Sequence, residues 1–311
     1  MVAASAIIVV GLVAGCGQTD EGSDPPAPVG SEAASRQGGQ NAQAVLNEAL
    51  DSEAKTRELL TRLTENCLRS KGVLSFPRRS SIPDTGTTTA PRTSPTLEQA
   101  TGEGYGITEE TQPQQPAEKP FAFSSPAEEQ RYVEALTGSR PGAQPTRTDD
   151  KPVFGGCTGQ ARKAVYGDET APETPTIKIR ETAGAEYASD PALKAQLKIW
   201  AVCLEKSNYP RFEDPEDAAR YGQYFHYPAG DRPGGVVPSG GPWPKVEARK
   251  KEIALAVADA RCADQAGLRA TQEQAWKRAL GAALARYETE IFGYRDAMVD
   301  ALRRGQQALQ G

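Results

Sequence analysis

Two cysteines of this chain sit in one local sequence pattern, and two others sit in a second pattern. Cys67 and Cys203 are each followed directly by leucine and, nine residues later, by phenylalanine. Cys157 and Cys262 each begin the pattern C-x2-Q-A. The two patterns occur twice in the same order, so we interpret the chain as containing one unit in duplicate.

This duplication restricts how the cysteines can pair. Four cysteines allow three pairings, and closure of each unit on itself predicts the disulfides Cys67–Cys157 and Cys203–Cys262. Zinc is the alternative reading, but zinc ligands usually come in closely spaced pairs. These cysteines are at least 40 residues apart and the chain has 1 histidine. We therefore expect neither a metal nor another cofactor.

The fifth cysteine follows an apolar segment. Residues 1–15 carry no charge, and this short run ending in small residues is typical of an export signal. Val13-Ala14-Gly15-Cys16 resembles the bacterial lipobox. The resemblance implies that residues 1–15 are a lipoprotein signal peptide and that acyl chains on Cys16 anchor the protein in a membrane. The run lacks the usual positive end, so we interpret Met1 as lying downstream of the natural start. A buried apolar segment with a chance cysteine is the alternative.

Composition and periodicity predict a mainly α fold. The chain has 24 prolines and 30 glycines, and its mean hydropathy is −0.57, which indicates long linkers. We predict a disulfide-stapled helical domain with long disordered loops and a long C-terminal amphipathic helix. The predicted organisation is a flexible tether (16–42), a first helical unit with a long disordered insert (43–167) and a second helical unit (168–311).

Within these units, apolar residues recur at helical spacing in six segments. The predicted helices are 43–72, 126–137, 157–166, 190–206, 214–221 and 245–309. Residues 77–120 are interpreted as a mostly disordered loop, and 168–188 as turns. In the last helix, apolar residues step by three and four from Leu280 to Met298. This seam could pair with a second copy or, as we favour, pack within its own domain.

Few residues point to catalysis. His226 would have to serve any histidine-based hydrolase. It lies in an aromatic cluster that could bind a cell-wall glycan or a loop of a partner or, as we favour, cover a small core. The cluster comprises Tyr221, Tyr224, Phe225, Tyr227 and Trp243. The net charge of −5 does not favour nucleic-acid binding.

Three motifs together resemble a family of actinobacterial secreted proteins and lipoproteins. They are Cys157-x2-Gln160-Ala161-Arg162, Trp200-x2-Cys203-Leu204 and Ala258-Asp259-x2-Cys262. The resemblance implies an exported bacterial protein with helices and brings no catalytic residues. We therefore expect a lipid-anchored protein at the outer face of the cytoplasmic membrane, with a non-enzymatic binding or structural role. Its expected partner is an envelope protein or a cell-wall glycan. The alternative is an extracytoplasmic hydrolase acting on a cell-wall polymer.

Overall fold

A computed structural model describes residues 30–77, 90–107, 121–139, 147–148, 151–152, 154–167, 170–227, 236–241 and 243–310. These ranges contain ten helices and one short antiparallel ladder between Arg147–Thr148 (β1) and Lys151–Pro152 (β2). The helices are α1 (Gly30–Ser70), α2 (Leu97–Glu103), α3 (Pro126–Thr137), α4 (Gly156–Tyr166), α5 (Thr176–Ser189), α6 (Pro191–Lys206), α7 (Pro215–Gln223), α8 (Lys245–Ala266), α9 (Leu268–Arg286) and α10 (Glu288–Gln310). The predicted mainly α class is confirmed.

Helices α1 and α10 pack along one another and join the two halves of the chain. Ala49 of α1 is buried with Tyr294 and Met298 of α10, and the Tyr294 hydroxyl donates to Glu53 at 2.7 Å. A Cβ at Gly305 would lie 3.0 Å from Leu59, so glycine allows the helices to approach closely. The C-terminal apolar seam is therefore covered by helices of the same chain, as we favoured.

The predicted long C-terminal helix is divided into α8, α9 and α10. Gly267 ends α8 with a left-handed φ of 61°, a conformation that glycine adopts without strain. The second division falls at Tyr287, between α9 and α10. Each of the three helices packs on its own set of partners.

Both disulfides have the predicted pairing. Cys67 is bonded to Cys157 and Cys203 to Cys262, across sequence separations of 90 and 59 residues. Loops of this length correspond to about 4 kcal/mol of stabilisation each in the chain-entropy model. The first bond joins α1 to α4 and the second joins α6 to α8, so each bond fixes two helices within its own unit.

The duplication extends to backbone conformation. Five residues after Cys67 and Cys203, Gly72 and Asn208 have left-handed φ angles of 78° and 65°. The next N–H in each case donates to the carbonyl of the leucine after the cysteine, at 3.0 and 3.1 Å. These contacts end α1 and α6 in the same way. The phenylalanines that follow, Phe76 and Phe212, then pack in the cores of their own units.

The glutamine of each C-x2-Q-A pattern lies against its disulfide. The side-chain amides of Gln160 and Gln265 are 3.3 Å from the sulfurs of Cys67 and Cys203, respectively. Glutamine stands three residues after the cysteine, one helical turn onward, and therefore on the same face of the helix. This geometry explains why the two patterns share glutamine at that position.

Three sequence predictions are corrected by the fold. Residues 176–189 form α5, where turns were expected, because Ile179 and Ala183 are completely buried against α1 and α9. Helix α1 begins at Gly30, so the predicted tether over 16–42 ends in helix. The loop predicted over 77–120 contains an ordered segment, residues 90–107, that docks on α8. The predicted helices over 126–137 and 190–206 are confirmed within one residue.

Candidate functional site

Helix α8 carries two carboxyl groups that point into the protein. Glu252 and Asp259 are both completely buried. They are seven residues apart, which is about two helical turns, and therefore lie on one face. Because burial of an unpaired charge is costly, the partners of these groups show what the site can do.

Glu252 accepts hydrogen bonds from four donors. Arg249 Nη1 donates at 2.8 Å, and the His226 Nε2 atom lies 2.9 Å away. The backbone N–H groups of Tyr105 and Ile107 donate at 2.8 and 3.2 Å. A carboxylate has about four acceptor positions. The four donors occupy them all, so Glu252 is fully satisfied without a ligand.

Asp259 has a smaller set of partners. Trp200 Nε1 donates to it at 2.8 Å and the Tyr105 hydroxyl at 2.9 Å. Burial raises the pKa of Asp259, and these hydrogen bonds oppose the rise. Burial also raises the pKa of Tyr105, and the neighbouring Asp259 raises it further. Tyr105 therefore remains a hydrogen-bond donor at neutral pH.

Tyr105 joins the two carboxyl groups, because its backbone contacts Glu252 and its hydroxyl contacts Asp259. The preceding Gly104 has a φ of 57°, and a Cβ there would lie 2.7 Å from Glu252 Oε1. Glycine is thus required on both steric and conformational grounds. Buried polar contacts therefore hold residues 90–107 against α8. We call the residues that make these contacts the Tyr105 clamp (Tyr105, Glu252, Asp259, His226, Arg249).

Further contacts hold the same segment. Ala100 of α2 is completely buried against Ala256 and Ala260, and Arg269 Nη1 donates to the carbonyl of Pro95 at 3.0 Å. Thr96 and Gln99 form a capping box at the start of α2. The T-x-x-Q spacing was visible in the sequence and could have indicated this helix. Of the Tyr105 clamp, the sequence indicated only His226 as a candidate site residue, and Asp259 was named only within a motif of the family resemblance.

His226 is placed as a structural partner of Glu252. Its side chain is 11% exposed and its Nε2 atom faces the carboxylate. In a catalytic triad the carboxylate orients the base, which in turn contacts a nucleophile. Within the part of the chain that the structure describes, no serine, threonine or cysteine side chain is hydrogen-bonded to this ring. The arrangement therefore has the orienting contact but not the nucleophile.

The aromatic residues considered for binding mostly face inward. Tyr224 and Phe225 are 9% and 7% exposed, and Tyr221 and Trp243 pack against the same core. Edge-to-face ring contacts join Tyr221, Phe225 and Trp243 at centroid distances of 5.5 and 5.4 Å. Tyr227, 45% exposed, is the most exposed member of the set, and Tyr221 and Trp243 are partly buried. The other rings fill the core, as we favoured.

Cys16, which the sequence predicts to be lipidated, lies outside the described residues. In the described ranges, no group of three or more His, Cys, Asp and Glu side chains is arranged to hold a metal ion. No helix in those ranges has the length and apolar character needed to cross a membrane. No protein-family model, curated protein or solved structure matches the chain.

Proposed function

We propose that this protein is a lipid-anchored envelope protein with a non-enzymatic binding or structural role. In this proposal acyl chains on Cys16 hold it at the outer face of the cytoplasmic membrane, where it binds an envelope protein or a cell-wall glycan. The resemblance of Val13–Cys16 to the lipobox supports the anchor, and the resemblance to actinobacterial lipoproteins supports the bacterial source.

The cysteine pairing is the observation that carries the proposal. Of 5 cysteines, 4 are used in two disulfides, so Cys16 has no intrachain partner left. An acylated cysteine must have its sulfur free of a disulfide. Structural disulfides are also typical of exported proteins, because the cytosol keeps thiols reduced. Both arguments favour a location outside the cytosol.

The saturation of Glu252 supports the non-enzymatic part. A catalytic base needs an open position for the proton that it accepts, whereas the four donors around Glu252 leave none. His226, the 1 histidine of the chain, is held in the same cluster. The contacts of Glu252 and His226 thus stabilise the fold.

Cell fractionation with fatty-acid labelling tests the anchor. Expressed in a bacterium with lipoprotein processing, the wild-type chain is expected in the membrane fraction and to leave it only with detergent. The wild-type chain is expected to incorporate labelled fatty acid, and the Cys16→Ser chain is expected to incorporate none. Ser23→Ala in the same N-terminal region is the matched control and should be labelled like the wild type. Equal labelling of the Cys16→Ser chain would contradict lipidation at this residue.

An activity assay tests the hydrolase alternative. Purified wild-type and His226→Gln chains are incubated with isolated cell wall, and soluble fragments are analysed by mass spectrometry. We expect no release above buffer from either chain. Release by the wild type that His226→Gln abolishes, with an unchanged circular dichroism spectrum, would contradict the non-enzymatic role.

A further inference from the structure

Helix α6 presents a surface that the proposed function has not used. Its inner face carries Trp200 and Leu204, both completely buried. Its outer face carries Lys194, Lys198 and Lys206, which are all exposed. Successive lysines stand four and eight residues apart, so they form one line along the helix.

Two apolar side chains lie between these lysines. Ile199 and Val202 are 53% and 37% exposed. They and the lysines line a shallow groove with Gln265 of α8. A second groove, which shares Cys203, Ser207 and Gln265, continues the surface to the exposed Arg261. We call Lys194, Lys198, Lys206, Arg261, Ile199 and Val202 together the α6–α8 basic face.

Among the residues that the structure describes, no ion pair involves the three lysines or Arg261. Their positive charges are therefore not neutralised within that part of the chain. The one carboxylate that lines the grooves, Asp264, is paired with Arg269. A locally positive surface with two exposed apolar side chains therefore stands on a chain of net charge −5.

The duplication supplies an internal comparison. Counted from Cys67 instead of Cys203, the positions of Lys194, Lys198 and Lys206 are occupied by Glu58, Arg62 and Ser70. The disulfide junction is common to both units, but the line of lysines is not. The positive charge is therefore not needed to build the junction, and it distinguishes the second unit from the first.

We infer that the α6–α8 basic face docks on the surface of an anionic phospholipid membrane. Lysines attract anionic headgroups, and exposed aliphatic side chains between them enter the headgroup boundary. Charge complementarity selects this occupant, because the face combines four cations with a small apolar centre. The inference rests on the proposed function, in which the lipid on Cys16 keeps the protein beside such a surface.

Vesicle flotation tests this contact without the acyl anchor. The mature chain (residues 16–311) carrying Cys16→Ser is mixed with vesicles of phosphatidylcholine alone or with a third of phosphatidylglycerol, and the bound fraction is measured against salt. We expect binding to the anionic vesicles that falls as salt rises. Each lysine near such a surface raises the membrane partition coefficient roughly fivefold. The triple change of Lys194, Lys198 and Lys206 to Gln should therefore lower this coefficient about a hundredfold.

A matched variant separates position from net charge. Changing Lys71, Lys163 and Lys178 to Gln removes the same charge at exposed positions elsewhere, and it should lower binding by less than about threefold, since only residual long-range attraction is lost. Ile199→Gln with Val202→Gln should weaken binding at all salt concentrations. Equal losses for both lysine triples would contradict the inference.

Other occupants give different results. A second copy on this face would produce a dimer in analytical ultracentrifugation that Ile199→Gln dissociates, and this would overturn the membrane assignment. Binding of soluble polyglutamate by a chain that does not bind the anionic vesicles would instead indicate an acidic polypeptide and also overturn it. Absence of lipid on Cys16 of the wild-type protein would contradict the proposed function. If Cys16 is acylated in cells but the Cys16→Ser chain does not float with anionic vesicles, only the inference about the α6–α8 basic face is contradicted.

Discussion

The substitution Glu252→Ala removes the acceptor at the centre of the Tyr105 clamp. It leaves Arg249 and His226 without their carboxylate, and it leaves two backbone N–H groups of residues 105–107 without an acceptor. Removal of one partner from a buried ion pair costs about 3–5 kcal/mol. Each buried N–H without a partner adds about 1–3 kcal/mol while the segment stays docked.

These costs exceed what contacts of a short segment such as 90–107 can offset, so we expect the segment to leave α8 and to satisfy its N–H groups with water. Undocking limits the total loss. The expected decrease in the free energy of unfolding is therefore about 3–5 kcal/mol, with much faster amide exchange over 97–107 than in the wild type.

Urea unfolding followed by tryptophan fluorescence measures the first quantity, and hydrogen exchange with mass spectrometry measures the second. Glu247→Ala is the control, because Glu247 lies on the same helix and pairs with Lys251 on the surface at 3.8 Å. Its change should be below about 1 kcal/mol. If Glu252→Ala lowered the free energy of unfolding by no more than this control does, and amide exchange over 97–107 were unchanged, the reasoning would be refuted.

Three further predictions follow from the same contacts. Gly104→Ala should cost about 1–3 kcal/mol in urea unfolding, because its φ is 57° and its Cβ would meet Glu252; a neutral result would contradict the close approach. Replacing Cys203 and Cys262 together by serine should cost about 2–5 kcal/mol, and a thermal midpoint equal to that of the wild type would contradict the pairing. Burial raises the pKa of Asp259 above its ordinary value of 3.8, so the folded chain keeps this proton to higher pH than the unfolded chain. The stability of the wild type relative to Asp259→Asn should therefore be greatest below pH 3.8 and fall as the pH rises through the folded pKa. An increase in this stability difference over the same pH interval would contradict the prediction.

The disulfide pairing and most helices could be predicted because their signals are local. Asp190-Pro191 and Asp214-Pro215 each combine a capping side chain with a proline suited to the first helical turn, and helices begin at both prolines. The repeated cysteine patterns identified the partners without knowledge of the fold. The left-handed Gly72 and Asn208 were not recognised as equivalent, because different residues provide the same conformation.

Helix α5 and the docking of residues 90–107 on α8 could not be predicted, because distant contacts stabilise them. Ile179 and Ala183 are buried only when α1 and α9 are in place. Tyr105 meets a carboxylate 147 residues away. No local pattern encodes either contact, and the Thr, Gly and Pro content of both regions favours turns. The role of His226 depended on the same long-range partner.

Mass spectrometry of the N-terminal peptide of the mature, detergent-extracted protein tests the central claim most directly. The account predicts a peptide that begins at Cys16 and carries acyl chains, together with the intact disulfides Cys67–Cys157 and Cys203–Cys262. A mature chain that still contains residues 1–15, with an unmodified Cys16, would contradict it.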